Sequence, residues 1–198
     1  WNEKPDLLWF MTDPRFYGWL WKLENEIRKN VPMVYYHVWD NYPYPMYNKK
    51  FYDSNDVIAS ISKLTYDIVN NVSPDVENHY LPHAVDPDVF RPRDPDEIRE
   101  FKESMFPEDD NRFTFFWNNR NARRKQSGTL IYWFNEFAEE VGPENVRLIM
   151  HTDPTDTHGQ NLVEIMHQVG ATDNRILLSD QKIPPDALAQ MYNIADCT

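Results

Sequence analysis

The sequence predicts an α/β protein built from two parallel-sheet units. Short apolar segments of strand length alternate with segments of helical pattern along all 198 residues, and this alternation is typical of βαβ units. A proline-rich connector at residues 84–95 interrupts the pattern near the middle of the chain, since proline disfavours both helices and inner strands. We therefore place a boundary at this connector and predict two domains, residues 1–92 and 93–198.

The first domain contains four strand patterns and two helix patterns. The strand patterns cover residues 5–11, 32–39, 56–62 and 79–83. The first helix is predicted to begin at Pro14 after a capping Asp13, and to continue to about residue 28. Its apolar residues Phe16, Leu20 and Leu23, with Trp19 beside them, recur at helical spacing. The second helix is predicted at residues 63–72.

The second domain repeats the same alternation. A helix capped by Asp94 is predicted at residues 95–105, followed by a turn at residues 106–111. The strand patterns cover residues 113–117, 146–151 and 175–178. Further helices are predicted at residues 130–141, 160–169, where Gly170 is the stop signal, and 183–192. Both domains therefore favour parallel sheets with helices in the crossover connections.

Charge and composition exclude several classes of protein. The formal net charge is −12, and it is spread evenly, with 11 basic and 17 acidic residues in positions 1–100 against 9 and 15 in the remainder. Such a field disfavours nucleic acid and anionic membrane surfaces as partners. We find no apolar run long enough to span a bilayer. The single cysteine, Cys197, cannot form an internal disulfide and indicates a reducing compartment, so a cytoplasmic location is expected.

One basic segment stands out in this acidic chain. The apolar run at residues 113–117 ends at Asn118, and four cations follow within six residues: Arg120, Arg123, Arg124 and Lys125. A helix pattern begins directly afterwards. A strand-to-helix turn rich in cations is typical of an anion site, because the helix N-terminus adds unpaired N–H groups and a positive dipole end. The segment therefore predicts half of a phosphate-binding site; the alternative is a basic, solvated helix terminus.

His37 and Asp40 are candidates for acid–base chemistry. His37 lies at the end of a predicted parallel strand, and ligands of open α/β sheets bind at the carboxyl ends of strands. Histidine exchanges protons near neutral pH, so this pair is suited to handling a substrate hydroxyl. The alternative is a histidine packed in the core and bonded to the backbone.

Other candidate motifs are weaker. His151, Asp153, Asp156 and His158 have metal-ligand chemistry, but polar loops after strands carry such residues routinely, and we predict no metal site. Two acidic triplets with central proline, at residues 86–88 and 94–96, are explained by turns and helix caps. The chain contains only five glycines and no glycine-rich phosphate loop.

Taken together, these segments resemble the middle of a retaining glycosyltransferase of the GT-B fold, of the large family four type. The stretch at residues 81–92 is similar to the inter-domain phrase of that family. Arg120 and Lys125 stand where the family places an Arg and a Lys that contact the donor diphosphate. The Leu-Ala-x-Met-Tyr-x-Ile-Ala-Asp phrase at residues 188–196 is similar to a helix of the family's second domain, and His37 lies where a first-domain active-site histidine often lies. Departures from the pattern include Asn119 and Gln126 in place of glycines.

The resemblance implies two Rossmann-like domains, both incomplete. Residues 1–92 correspond to the later part of the acceptor-side domain, and residues 93–198 to the earlier part of the nucleotide-sugar domain. The family's first glycine-rich turn is expected before Trp1 and its paired glutamates after Thr198, so this fragment alone is expected to be catalytically incomplete. The implied activity is hexosyltransferase chemistry: metal-independent transfer of a sugar from a UDP- or GDP-linked donor to an acceptor hydroxyl, with no cofactor. Arg120, Lys125 and Arg124 would bind the donor diphosphate, and His37 and Asp40 would act near the acceptor.

Two alternatives remain open at this point. A nucleotide-sugar epimerase of the same fold would share the diphosphate site. A non-catalytic nucleotide-sugar-binding or structural protein would share only the fold.

Overall fold

A computed structural model describes residues 4–106 and 111–198, and the chain divides into two compact units between Ala84 and Val85. The predicted boundary after residue 92 lies eight residues further along the chain. The connector between the two positions packs with the second unit. The Asn193 side chain accepts a hydrogen bond from the Arg93 N–H (2.9 Å) and donates one to the Arg91 carbonyl (3.1 Å). The predicted turn at residues 106–111 falls mainly on residues outside the described part of the chain.

The first unit is a four-stranded parallel sheet in the order β1-β2-β3-β4. Its strands are β1 (Leu8–Thr12), β2 (Met33–His37), β3 (Val57–Ser60) and β4 (Glu77–Tyr80). Its helices are α1 (Gly18–Trp21), α2 (Glu24–Ile27), α3 (Lys49–Tyr52) and α4 (Lys63–Val72), with 3-10 helices at Pro14–Tyr17 and Met46–Asn48. All five residues of β2 are buried, as the apolar sequence of a central parallel strand predicts.

One hydrophobic core fills the helical side of this sheet. Phe10, Tyr35 and Ile58 project from the strands and meet Trp21 and Ile68 from the helices. Because the strands follow one another in sequence order, right-handed crossovers place successive helices on one face. Aromatic rings dominate the contact: Phe10 stacks on Tyr35 with centroids 5.1 Å apart and meets Trp21 edge-on at 5.2 Å.

The single helix predicted from Pro14 to residue 28 is wrong. Asp13 does cap the segment, accepting the Arg15 N–H at 2.9 Å, but the chain forms a 3-10 turn and then the two short helices α1 and α2. The indole of Trp21 donates to the Pro14 carbonyl (3.0 Å), which folds the start of the segment back on itself. As a result Phe16 is 68% exposed rather than on a buried face.

The second unit is a three-stranded parallel sheet in the order β5-β6-β7. Its strands are β5 (Phe113–Asn118), β6 (Val146–His151) and β7 (Ile176–Ser179). Its helices are α5 (Pro95–Met105), α6 (Ser127–Val141), α7 (Leu162–Val169) and α8 (Pro185–Ile194), with a 3-10 helix at Arg123–Lys125. Cys197 forms a parallel bridge with Phe115 on the far side of β5 from β6, so the end of the described chain extends the sheet.

Two separate cores cover the two faces of this sheet. Helices α6 and α7 pack on one face, around Leu148 and Met150. Helices α5 and α8 pack on the other face, around Phe116 and Ile149. The alternation along β6 therefore serves both layers, as expected of a parallel sheet covered on both sides.

Arg175, directly before β7, links the sheet to α6. Its side chain is 7% exposed, forms two 2.6 Å bonds to the Asp173 carboxylate, and bonds Glu139 and the Asn135 side chain on α6. These carboxylates raise the pKa of Arg175, with the hydrogen bonds that it donates to Asp173 as the main cause. A buried guanidinium with three satisfied partners ties the start of β7 to the helix layer.

We expect Arg175→Met to lower the free energy of unfolding by about 2 kcal/mol, because it removes charge-assisted bonds and leaves their partners unpaired. The matched control is Arg99→Met, since Arg99 pairs with Asp96 on the exposed surface of α5 and should change stability by less than about 0.5 kcal/mol. Urea unfolding followed by circular dichroism measures both. Equal effects from the two substitutions would show that the Arg175 cluster does not stabilise the fold.

Candidate functional site

The carboxyl ends of the second sheet gather a row of polar side chains. The strand register pairs Asn118 with His151, and His151 with Ser179. His151 Nδ1 lies 2.9 Å from the Ser179 hydroxyl, and the Asn118 amide donates to the Tyr192 hydroxyl at 3.1 Å. The three strand ends therefore form a continuous polar edge, which is the position where open α/β sheets bind ligands.

The basic segment leaves this edge in a fixed conformation. Asn121 is fully buried; its amide donates to the Gln160 carbonyl (2.7 Å), and its side-chain oxygen accepts from Ser127 (2.7 Å). A Cβ on Gly159 would collide with the Asn121 carbonyl oxygen, so the two loops approach as closely as only glycine permits. Buried hydrogen bonds therefore hold the basic segment against the loop that follows β6.

Arg120 is paired within the protein. Its Nε lies 2.6 Å from one Asp156 carboxylate oxygen, and its Nη2 lies 2.9 Å from His158 Nδ1. Asp156 also accepts the backbone N–H of His158 at 2.9 Å. The bond from Arg120 holds the pKa of Asp156 far below its usual value, with further help from His158. The Arg120 side chain is nevertheless 63% exposed, so an incoming anion can reach it.

The other three cations of the segment form the 3-10 helix before α6. Arg123 and Arg124 are exposed and Lys125 is half-buried. Within residues 4–106 and 111–198, none of these three side chains pairs with an acidic residue. The cations lie before α6 rather than in its first turn, because Gln126 adopts a left-handed conformation and separates the two helices.

The N-terminus of α6 is not fully available to an anion. The N–H of Gly128 donates to the Gln160 side-chain oxygen at 2.9 Å. This internal hydrogen bond satisfies one of the helix N-terminal N–H groups that we predict from the sequence to bind phosphate. The side chains of the basic segment are therefore the main positive groups that face solvent here.

His37 occupies the core of the first unit rather than its surface. It is fully buried, with Nδ1 lying 3.0 Å from the Tyr35 hydroxyl and Nε2 lying 2.7 Å from the Tyr52 hydroxyl. Burial lowers the pKa of His37 to about 3, with Asp13 acting weakly in the opposite direction. Burial likewise raises the pKa of Tyr52 to about 12. This geometry favours the packed-histidine alternative, with tyrosine hydroxyls in place of the backbone, and direct contact with a substrate hydroxyl stays a prediction.

Asp40 has the opposite environment. It lies three residues beyond β2, in the loop at the carboxyl end of the strand, and its side chain is exposed. Its carboxylate forms no hydrogen bond or ion pair with any residue that the structure describes. Of the predicted pair, Asp40 is therefore the group that a ligand can reach.

The metal candidates are engaged in other bonds. Asp156 is bound by Arg120, and His151 contacts Ser179. The described residues contain no group of three or more His, Cys, Asp or Glu side chains placed to hold a metal ion. Asp86 and Asp94 accept the N–H groups of Asp88 and Asp96, both at 2.9 Å, so the acidic triplets form a turn and a helix cap.

Sequence reasoning missed the partners of the basic segment. Asp156 is 36 residues from Arg120, and Gln160 is 39 residues from Asn121. One signal was available: parallel neighbouring strands bring the loops after them together, so the polar loop after β6 had to lie beside the basic segment after β5.

Among residues 4–106 and 111–198, no helix has the length and apolar character needed to cross a bilayer.

Comparisons with known proteins support the fold alone. No protein-family model and no curated protein matches the sequence. Among solved structures, the chain is similar to an α,α-trehalose 6-phosphate synthase from Burkholderia multivorans, at 15% identity and a TM-score of 0.68, covering 97% of this chain and 50% of that one.

Two further structures show the same relationship. HepE from Anabaena, solved in complex with UDP and glucose, is 14% identical with a TM-score of 0.64, covering 96% of this chain and 51% of that one. A glycosyltransferase from Rickettsia africae is 13% identical with a TM-score of 0.64, covering 98% and 51%. The chain thus spans about half the length of these structures. The predicted fold class, two parallel-sheet α/β units of the GT-B type, is confirmed.

The buried state of His37 predicts a specific loss of stability in acid. Its pKa falls from an ordinary 6.5 to about 3 on folding. Below pH 6.5, His37 is therefore protonated in the unfolded chain and stays neutral in the folded chain. The contribution of neutral His37 to the free energy of unfolding is complete above pH 6.5 and is lost progressively as the pH falls toward 3. Between pH 7 and pH 5, the unfolding free energy should fall by about 2 kcal/mol through this residue alone.

Urea unfolding of the wild type and of His37→Gln at both pH values isolates that contribution, because other titrating groups are common to the two proteins. We expect a drop about 2 kcal/mol smaller in the variant. An identical pH dependence in both proteins would contradict the buried neutral state of His37.

Proposed function

We propose that this chain is part of a glycosyltransferase that transfers a sugar from a nucleotide-sugar donor to an acceptor hydroxyl. In this proposal the second unit binds the donor diphosphate and the first unit binds the acceptor. The reaction is of the retaining, metal-independent type, and the donor is linked to UDP or GDP. The resemblance to family four of the GT-B glycosyltransferases motivates the finer assignments.

The observation that carries the proposal is the position of the basic segment. In a chain of net charge −12, Arg120, Arg123, Arg124 and Lys125 follow directly on the carboxyl end of β5. Three of these cations have no acidic partner among the residues described, and the fourth is accessible. Unpaired cations at the ligand-binding edge of a parallel sheet suit a diphosphate, whose oxygens accept charge-assisted hydrogen bonds.

Arg120 would exchange its internal carboxylate for the ligand. Asp156 presents one negative charge to the guanidinium at 2.6 Å, whereas a nucleoside diphosphate presents a larger charge over several oxygens. Lys125, half-buried next to Gln126, would add a second cation, and Arg124 a third. These fixed positive charges would stabilise the negative charge that develops on the leaving diphosphate. This electrostatic role is the one that a divalent cation plays in other transferases, so the proposal needs no metal.

The acceptor hydroxyl would meet Asp40. Its free, exposed carboxylate can accept the hydroxyl proton as a hydrogen bond and so orient the nucleophile. The rings of His37 and Trp39 stack with centroids 6.3 Å apart. His37 would thereby position the loop after β2 that carries Asp40.

Binding of UDP tests the donor half of the proposal. We expect UDP to bind the 198-residue protein in isothermal titration calorimetry, and Arg120→Ala with Lys125→Ala to weaken it by at least about tenfold, because two charge-assisted bonds are lost. Binding should also weaken as salt rises.

The matched control removes the same number of charges elsewhere in the second unit. Arg99 and Lys102 lie on α5, so Arg99→Ala with Lys102→Ala should leave UDP affinity within about twofold of the wild type if binding is local rather than a general response to net charge. Absence of binding by UDP, GDP and their glucose conjugates to the wild type would refute the donor site, and so would equal losses in both double variants.

A further inference from the structure

The loop at residues 38–47, hereafter the aromatic loop, has a surface that the donor chemistry does not explain. It begins directly after β2, extends into the 3-10 helix at Met46–Asn48 and lies at the carboxyl end of the first sheet. Tyr42, Tyr44, Met46 and Tyr47 are all exposed, Tyr47 by 68%. Exposed large apolar side chains clustered in one loop usually mark an interaction site.

The rings are held in place rather than left free. Trp39 meets Tyr47 edge-on with centroids 6.1 Å apart, and its carbonyl accepts the Thr65 hydroxyl at 2.8 Å. Tyr42 and Tyr44 pack edge-on at 5.4 Å. A preformed aromatic surface loses little conformational entropy when a ligand binds.

Polar groups accompany the rings of the aromatic loop. The hydroxyls of Tyr42 and Tyr44 both donate to one Asp67 oxygen, at 3.3 and 3.1 Å. Burial, followed by Asp67, raises the pKa of Tyr42, and the hydrogen bond to Asp67 is the main cause that raises the pKa of Tyr44. Asp40 projects from the same loop with no partner among the described residues. The aromatic loop therefore carries hydrogen-bonding groups together with its exposed rings.

We propose that the aromatic loop binds a neutral saccharide, which would make the acceptor of the proposed transfer a carbohydrate. Sugar rings expose apolar C–H faces that pack on aromatic rings, while their hydroxyls need acceptors and donors at the ring edge. The aromatic loop offers both, and Asp40 can accept a bond from a sugar hydroxyl. The identification of the bound saccharide as the acceptor rests on the proposed function. Saccharide binding by the aromatic loop does not depend on it.

Charge favours this occupant over an anionic surface. Asp40 is the only ionised residue in the aromatic loop, so nothing in it attracts phosphate or acidic lipid, and the carboxylate repels both. A neutral ligand with many hydroxyls meets no such penalty. A zwitterionic membrane or a protein partner would contact the rings but would not require the unpartnered Asp40 carboxylate, which can accept hydrogen bonds from sugar hydroxyls.

Saturation-transfer NMR and calorimetry with maltose, cellobiose, lactose and chitobiose test the proposal. We expect at least one disaccharide to bind with a Kd in the range of about 1 mM, and Tyr47→Ala to weaken it by about tenfold. The matched control is Tyr132→Ala, because Tyr132 is a surface tyrosine of the second unit, 46% exposed, whose hydroxyl bonds the carboxylate of Glu136. This control should bind like the wild type.

Three results would overturn the proposal: no signal with any of the four disaccharides, equal weakening by both tyrosine variants, or binding to phosphatidylcholine vesicles that needs Tyr47 while the sugars do not bind. Titrating UDP in parallel separates the two hypotheses. UDP binding without saccharide binding would refute the saccharide site and leave the donor site standing. Saccharide binding without UDP binding would refute the donor site and support the saccharide site.

Discussion

Parallel strand pairing is the constraint that places each candidate functional group of this protein. Because β5, β6 and β7 all run in one direction, their carboxyl ends and the loops after them share one edge. Arg120 therefore lies against Asp156 although 36 residues separate them, and Asn121 reaches Gln160 in the same way. In the first sheet the same rule places the aromatic loop and Asp40 at the carboxyl end of β2. The candidate functional side chains therefore lie at these edges, and the sheets hold the edges rigid.

The basic segment combines one cation that is paired within the protein with three that have no acidic partner among the described residues. Four cations in six residues would repel one another in the absence of a ligand, yet Arg120 is neutralised by Asp156 and anchored further by His158. A single carboxylate holds the guanidinium in a defined place without matching the charge of a diphosphate. In the proposed function, a more highly charged ligand would displace Asp156 from this pair.

Local signals in the sequence predict the elements, and non-local contacts decide the site. The helix at Pro95–Met105 follows from the Asp94 cap and from proline at its first position, and the structure confirms both. The segment after Pro14 forms a 3-10 turn and two short helices, and the Trp21 indole bonds the Pro14 carbonyl, a contact that no periodicity shows. The cations could be located from sequence, but their partners could not. The Tyr52 hydroxyl that contacts His37 lies 15 residues away along the chain, so this partner is not visible in the strand pattern.

The exchange of Asp156 for phosphate on Arg120 is the central claim, and calorimetric titration of UDP into Asp156→Asn tests it most directly. Asparagine keeps the shape of the side chain but removes the competing charge, so UDP should bind about two- to fivefold tighter than to the wild type, as expected for loss of one surface ion pair. Asp153→Asn, in the same loop but bonded to Thr155, should leave affinity unchanged. Weaker or unaltered binding by Asp156→Asn would contradict the account.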